Sequence, residues 1–312
     1  MIADRRTVLA SGTAMLALAA CRDNATADAS PPAGRPAFDV AVEIAALEQT
    51  SGGTLGACLL DTASGALLGH RLDERFGHCS SFKTSLAAMV LAGADNGTLD
   101  LSEQMAWEET AMLGNSPFTM DRLGTGATLA ELARAVQVAS DNTAANVLLG
   151  RLGGPEAVTA FWRELGDETS RLDRTEPQLN NAPAGDPRDT TTPRAMAQTL
   201  AKIATGDVLA PESRATLLGW MAETTTGTRR IRAGLPEVWQ AANKTGTSLW
   251  PGIGSLYVDI AVLTPSGATP LVLTGYFRAN ETHEGVQPEG EAVLARLGRI
   301  AARWHEFHSA GR

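Results

Sequence analysis

Between Phe38 and Gln49 apolar residues recur at helical spacing (Val42, Ala45, Ala46), and Gly52-Gly53 ends the run. The pattern then changes to two strand-like runs, Thr54–Asp61 and Ala66–Leu72, around Thr62-Ala63-Ser64-Gly65, which reads as a hairpin. From Phe82 to about Trp220 the chain is rich in Ala and Leu and predicts helices that include 82–95, 129–139, 143–152, 155–165 and 193–205. One stretch within this region, Asp167 to Thr192, has no helical period and is dense in Asp, Asn, Pro and Arg. A loop of that length inside a compact region is more often functional than idle. Strand character returns at Val238–Thr247, Ser255–Thr264 and Leu271–Phe277, and an amphipathic helix, about Gly290–Phe307, follows. Helix, two strands, a long helical insert, three strands, helix: the order predicts one sheet built from both ends of the chain.

The composition permits such a core. Of 312 residues, 44% are hydrophobic and 20% charged, too apolar for disorder and too charged for a membrane bundle. The net charge of −9, with no basic block, argues against nucleic acid or anionic lipid as main partners. Three cysteines cannot make a disulfide scaffold. Five histidines limit metal readings to His305-x-x-His308 on the terminal helix, a poor ligand set, and neither a metal nor another cofactor is expected. Lysine is the informative count: Lys83, Lys202 and Lys244 stand among 23 arginines. An amine can lose its proton where a guanidinium cannot, so these three merit attention as chemistry.

At the amino terminus Arg5-Arg6 precedes an uncharged small-residue run, Val8 to Ala20, too short to span a bilayer and suited to a signal peptide over 1–20. The paired arginines resemble a twin-arginine export signal. Leu18-Ala19-Ala20-Cys21 resembles a lipoprotein lipobox, which implies cleavage and lipidation at Cys21 and attachment to a membrane; ordinary cleavage nearby, for instance after Ala25-Thr26-Ala27, is the alternative. Residues 21–36, with Pro31-Pro32, Gly34 and Pro36, read as a flexible tether.

Four segments carry candidate chemistry. In Ser80-Ser81-Phe82-Lys83, at a strand-to-helix junction, a lysine three residues on lies one turn along the same face. Its amine would reach the Ser80 hydroxyl, and a serine becomes a competent nucleophile when an adjacent base takes its proton. Ser140-Asp141-Asn142 sits between two helices, where all three residue types are also ordinary caps. Lys244-Thr245-Gly246-Thr247 lies on a strand whose glycine marks the close approach of a ligand or another backbone; Lys244 reads either as a carboxylate-binding cation or as an exposed strand lysine. In the long loop, Glu176 and Asn180 could position a water, with the carboxylate as general base, or belong to a solvated polar loop.

Together, S-x-x-K at Ser80–Lys83, S-D-N at Ser140–Asn142, K-T-G at Lys244–Gly246 and R-L-D-R-x-E-P-x-L-N at Arg171–Asn180 resemble the class A β-lactamases, over about residues 38–308. The resemblance implies an α/β fold: a three-layer α-β-α sandwich with a five-stranded antiparallel sheet from both chain ends (37–75 and 222–312), and an all-helical domain (76–221) inserted between strands. It implies an Ω-shaped loop over about 171–189, clamped by Arg174 and Asp189. It also implies hydrolysis of the β-lactam amide of penicillins and cephalosporins through an acyl-enzyme on Ser80, with resistance as the result. Lys83, or Glu176 through water, would deprotonate Ser80. The backbone N–H groups of Ser80 and Thr247 would hold the oxyanion. Ser140 would pass a proton to the leaving nitrogen, and Asn142 would orient Lys83 and the substrate amide. Lys244, Thr245, Gly246, Thr247 and Arg230 would bind the substrate carboxylate, and Glu176 with Asn180 would activate the deacylating water.

Three departures from the family pattern stand out. Thr175 replaces a common tryptophan, Asn115 an aromatic cleft wall, and Ser248 a cysteine that bridges in some members to the one at Cys79. Cys58 reads as a small core residue, and the six tryptophans as core or cleft-edge residues, with Trp107 and Trp250 open to either place. The competing readings are a penicillin-binding D,D-peptidase, a non-hydrolysing β-lactam sensor or binding lipoprotein, and an esterase or glutaminase on a related scaffold. The expected protein is an exported, periplasmic monomer, soluble or lipid-anchored, since no heptad or extended apolar patch suggests an interface.

Overall fold

A computed structural model of the chain describes residues 38–309. The expected signal peptide, Cys21 and tether lie outside the described residues. Asp39 accepts hydrogen bonds from Ala41 N and Val42 N and starts helix α1 (Val40–Gln49). Strands β1 (Gly53–Asp61) and β2 (Leu67–His70) form the expected hairpin. After the insert come β3 (Gln240–Ser248), β4 (Leu256–Thr264) and β5 (Leu271–Ala279). The five make one antiparallel sheet in the order β2-β1-β5-β4-β3, with Ala57 opposite Gly275 joining the two chain ends.

The central strands are apolar on both faces because both are covered. Cys58, Leu60, Val258, Ile260, Val262, Val272 and Tyr276 enter the large core shared with the helical insert. Their alternating neighbours, among them Leu55, Leu59, Ala261, Leu273 and Phe277, pack with α1 and the terminal helix α9 (Pro288–Ser309). The result is the three-layer α-β-α sandwich with a helical insert.

Within the insert lie α2 (Lys83–Asp95), the single-turn α3 (Pro117–Asp121), α4 (Leu129–Val138) and α5 (Asn142–Leu152). They are followed by α6 (Pro155–Glu164), α7 (Pro193–Thr205) and α8 (Pro211–Ala222). Helix α8 is absent from the helices predicted above. Only Leu217 and Met221 of its twelve residues are buried, which leaves too thin an apolar stripe to read as a period. The long loop contains one 3₁₀ turn at Gln178–Asn180. Its end returns as a two-residue ribbon in which Thr190-Thr191 pairs with Phe76-Gly77, beside the serine turn. Among the described residues, no helix is long and apolar enough to cross a membrane.

Candidate active site

The Ser80 segment folds as a 3₁₀ turn, Cys79–Phe82, that runs directly into α2. Cys79 holds a left-handed backbone (φ 44°), a conformation costly for a residue with a side chain and common at functional turns. The turn is tied from behind, where His78 N donates to Asp189 O at 2.9 Å. From Ser80 the chain advances one turn, and Lys83 Nζ donates to Ser80 Oγ at 3.0 Å. The same amine donates to Asn142 Oδ1 at 2.5 Å and Ser140 O at 3.0 Å, and pairs with Glu176 Oε1 at 2.9 Å. Both side chains of that ion pair are wholly buried, the setting in which a charge must be matched by partners. Ser80 Oγ lies 3.4 Å from the same Glu176 oxygen.

In Ser140-Asp141-Asn142 the capping falls to the middle residue, and its two neighbours turn to the cleft. Asp141 is the helix cap, accepting from Ala144 N at 2.8 Å and from Thr119 N and Oγ1. Ser140, left-handed at φ 59°, and Asn142, the first residue of α5, face the cleft. Lys244 is not an exposed strand lysine. It is fully buried, and its Nζ donates to Ser140 Oγ at 3.0 Å and to Thr245 O at 2.9 Å. Burial, and then the neighbouring charge of Lys83, push its pKa well below the usual lysine value, against the pull of Glu176. Gly246 answers to another backbone. A Cβ there would stand 2.8 Å from His78 O and 3.1 Å from Ser80 N, so only glycine lets β3 pass this close to the nucleophile turn.

Arg230 is buried beneath β3. It donates to Gly246 O and Val258 O at 2.8 Å and to Thr247 Oγ1 at 2.7 Å, so its charge stands directly behind the Thr247 hydroxyl. Thr226 pairs with Thr245 across 2.6 Å. On the loop side, Asn180 Nδ2 donates to Glu176 Oε2 at 2.6 Å. Ser248 Oγ donates to Asn180 O at 2.7 Å, fastening the loop to the end of β3. Arg174 pairs with Asp189 at 2.5 Å, and Asp189 Oδ1 also accepts from Asp173 N and Arg174 N. Ser80, Ser140, Asn142, Glu176, Asn180 and Thr247 thus line one cleft of ≈ 670 Å³, bounded also by the 225–230 segment.

Several participants escaped the sequence reading. Asn146 accepts from Glu176 N at 3.0 Å and donates to Glu176 O at 2.9 Å, holding the loop glutamate by its backbone. Its signal was the four-residue step from Asn142, which puts both on one face of α5. Asp259, buried beside Asn243 and Ile231 N, and Glu291, on Arg229 and Arg230, come from distant segments with no motif. Trp107 lies in the core with Nε1 donating to Thr119 O at 3.2 Å, and neither it nor Trp250 lines the cleft. Leu249 and Val286 are the apolar lining instead, while Asn115 forms part of the wall. Cys58 and Cys79 are free and buried, with thiol pKa values pushed by burial up to about 12. His305 stacks edge-on against Trp239, and His308 meets Trp304. No group of three or more candidate metal ligands occurs among the described residues.

The sequence matches the profile of a β-lactamase enzyme family over residues 39–305. It is 44% identical over 308 residues to β-lactamase L2 of Stenotrophomonas maltophilia, covering 97% of this chain and 99% of that protein. It is also 44% identical over 262 residues to the carbapenem-hydrolyzing β-lactamase KPC of Klebsiella oxytoca, covering 84% and 87%. Among solved structures, an ancestral (GNCA) class A β-lactamase superposes with a TM-score of 0.80 at 46% identity, covering 84% of this chain and 98% of that one.

Proposed function

The chain belongs to the class A β-lactamases, and from that premise we propose that Ser80 is its acylating nucleophile and Glu176 its deacylating base. The enzyme hydrolyses the amide bond of penicillins and cephalosporins and so confers β-lactam resistance. The observation that carries the residue assignment is the triangle of Ser80 Oγ, Lys83 Nζ and Glu176 Oε1, with edges of 3.0, 2.9 and 3.4 Å.

Ser80 attacks the lactam carbonyl, and its proton leaves toward the Lys83–Glu176 pair, which is close enough to act as one coupled unit. The oxyanion is held by the backbone N–H of Ser80, at the first turn of its helix where amides lack intrahelical partners, and by that of Thr247. Ser140 is bonded by Lys244 as an acceptor, which leaves its own proton for the departing lactam nitrogen. Lys244, whose amine is made easier to deprotonate by burial, can then restore that proton. Thr245, Gly246 and Thr247, with Arg230 behind them, receive the substrate carboxylate, and Asn142 orients Lys83 and the substrate amide. Deacylation falls to Glu176. Asn180 fixes Oε2, while Oε1, paired with Lys83, is the oxygen facing Ser80 Oγ, so a water between Glu176 and the acylated serine is the one its carboxylate would activate. That Glu176–Asn180 unit is what opposes a peptidase or sensor that remains acylated. Arg174 and Asp189 are structural, clamping the loop about 171–189.

The same reading divides the chain into a sheet domain, 37–75 and 222–312, and a helical domain, 76–221. It has residues 1–20 exporting a monomer to the periplasm, with Cys21 as a lipid anchor and 21–36 as tether. The deciding experiment is a time course of chromogenic cephalosporin hydrolysis with substrate in excess and a chelator present. Sustained turnover is expected; a burst of one equivalent followed by silence would overturn the role of Glu176.

A further inference from the structure

Arg229 and Arg230 are neighbours in sequence and opposites in setting: their side chains are 70% and 4% exposed. Both direct Nε at one carboxylate, Glu291, at 2.5 Å and 3.4 Å. Glu291 is buried in the first turn of α9, where the helix N-terminus favours a negative charge. The bond through Nε anchors the Arg229 guanidinium while leaving its two terminal nitrogens without a hydrogen-bond partner among the described residues. An anchored fork of free donors is the arrangement that receives a carboxylate, sulfonate or phosphate, because little side-chain freedom is lost on binding.

This fork lines the cleft on the 225–230 segment. That segment meets the expected carboxylate-binding positions, through Thr226 to Thr245 and Arg230 to Thr247. It makes no bond to Asn180, which belongs to the Glu176 side. Arg230 is occupied by two carbonyls and a hydroxyl, and Lys244 by Ser140 and Thr245. Arg229 is committed only through Nε, to Glu291, which leaves its terminal nitrogens for a ligand.

We propose that Arg229 is a second anion-binding position, which selects β-lactams carrying an additional negative charge on the substituent beside the ring carboxylate. The inference rests on the β-lactamase reading above and adds a specificity determinant to it. Thr228 beside Arg229 and the exposed Val286, a few residues before Glu291, add a partly aliphatic rim to the cleft, suited to the body of a heteroaromatic substituent whose tip carries the anion.

A matched pair tests it. Cefamandole and cefonicid share the mandelamido side chain and differ at the C3 thiotetrazole, which bears N-methyl in the first and N-sulfomethyl in the second. In Arg229→Gln, kcat/KM for cefonicid should fall about tenfold, mostly through KM, with cefamandole changed less than about twofold. Arg229→Glu should enlarge the gap, and added salt should shrink the wild-type preference because the position is exposed. Equal losses for both substrates, or no loss for cefonicid, would overturn the proposal while leaving the β-lactamase reading intact. A wild-type chain that hydrolyses neither would overturn that reading, and this inference with it.

Discussion

Asn142 and Asn146 stand one turn apart on α5 and hold the two ends of the buried Lys83–Glu176 ion pair. Asn142 Oδ1 accepts from Lys83 Nζ at 2.5 Å, whereas Asn146 brackets the Glu176 backbone with bonds of 3.0 and 2.9 Å. One helix face therefore sets the separation between the group beside Ser80 and the carboxylate on the loop. Asn146→Ala removes both loop bonds without touching Ser80 or Lys83. We expect kcat to fall about ten- to a hundredfold with acylation largely retained, so that acyl-enzyme accumulates in the steady state. Intact-mass spectrometry during turnover reads this directly, and an unchanged acyl fraction would assign Asn146 to stability alone.

Removing the carboxylate itself should be harsher. Glu176→Ala should still acquire a covalent β-lactam adduct and then fail to release it. Ser80→Ala should acquire none. Lys83→Arg keeps the charge but not the capacity to act as a base, and its planar guanidinium does not fit the site of a compact amine, so turnover should be lost. Slow turnover without an adduct in Glu176→Ala would reassign the second step.

Acid stability should separate two buried groups with opposite signs. Burial holds the His78 ring neutral, with a pKa lowered to about 4, while it stacks on Trp162 at a centroid distance of 4.7 Å. The unfolded ring takes up a proton below its ordinary value and the folded ring does not, so this group removes stability as pH falls from about 6.5 to 4. Asp259 is raised by burial to about 6, so the folded state binds its proton first and gains stability as pH falls from about 6 toward 3.8. Each shift corresponds to about 3 kcal/mol. Relative to wild type, His78→Leu should gain stability between pH 7 and pH 4.5, and Asp259→Asn should lose it. Urea midpoints at the two pH values give the comparison; parallel shifts in both variants would refute the assignment.

Gly246→Ala tests the approach of β3 to the serine turn. The added methyl would meet His78 O, Cys79 Cβ and Ser80 N at 2.8 to 3.1 Å, all of them backbone or fixed atoms. The cost to folding should be about 1–3 kcal/mol. The larger effect should be on kcat, because the two amides expected to receive the oxyanion belong to the segments forced apart. A variant that melts early but keeps its kcat would show that those amides tolerate displacement.

Where one residue's chemistry and its local structural role coincide, the sequence was legible. Lys83 lies one turn from Ser80, and the spacing alone put the amine by the hydroxyl. The runs that became β1, β4 and β5 read as strands because both faces are buried, as a sheet between two helical layers requires. Legibility ended where partners meet only through the fold. Nothing local to Glu291 announces Arg229, and nothing near Asp259 announces Asn243. Helix α8 was illegible for a different reason: its N-terminal Pro211 is a start signal, but two buried residues in twelve leave no stripe behind it. Trp107 was left open between cleft and core because aromatic size suits both, and here the core took it.

The pairing of β1 with β5 bears on how the protein comes into being. Ala57 and Gly275 are partners about two hundred residues apart, so the central ladder of the sheet awaits nearly the whole chain. Ser80, Lys83 and Glu176 are all synthesised well before it, yet the strand that carries Lys244 and Thr247 has no strand partner, and no link to β1, until β4 and β5 follow. A nascent chain ending before Ala279 therefore holds the proposed nucleophile and bases without the completed sheet that carries the opposite wall. Activity should arrive late in translation and all at once, after the terminal strands have closed the sheet.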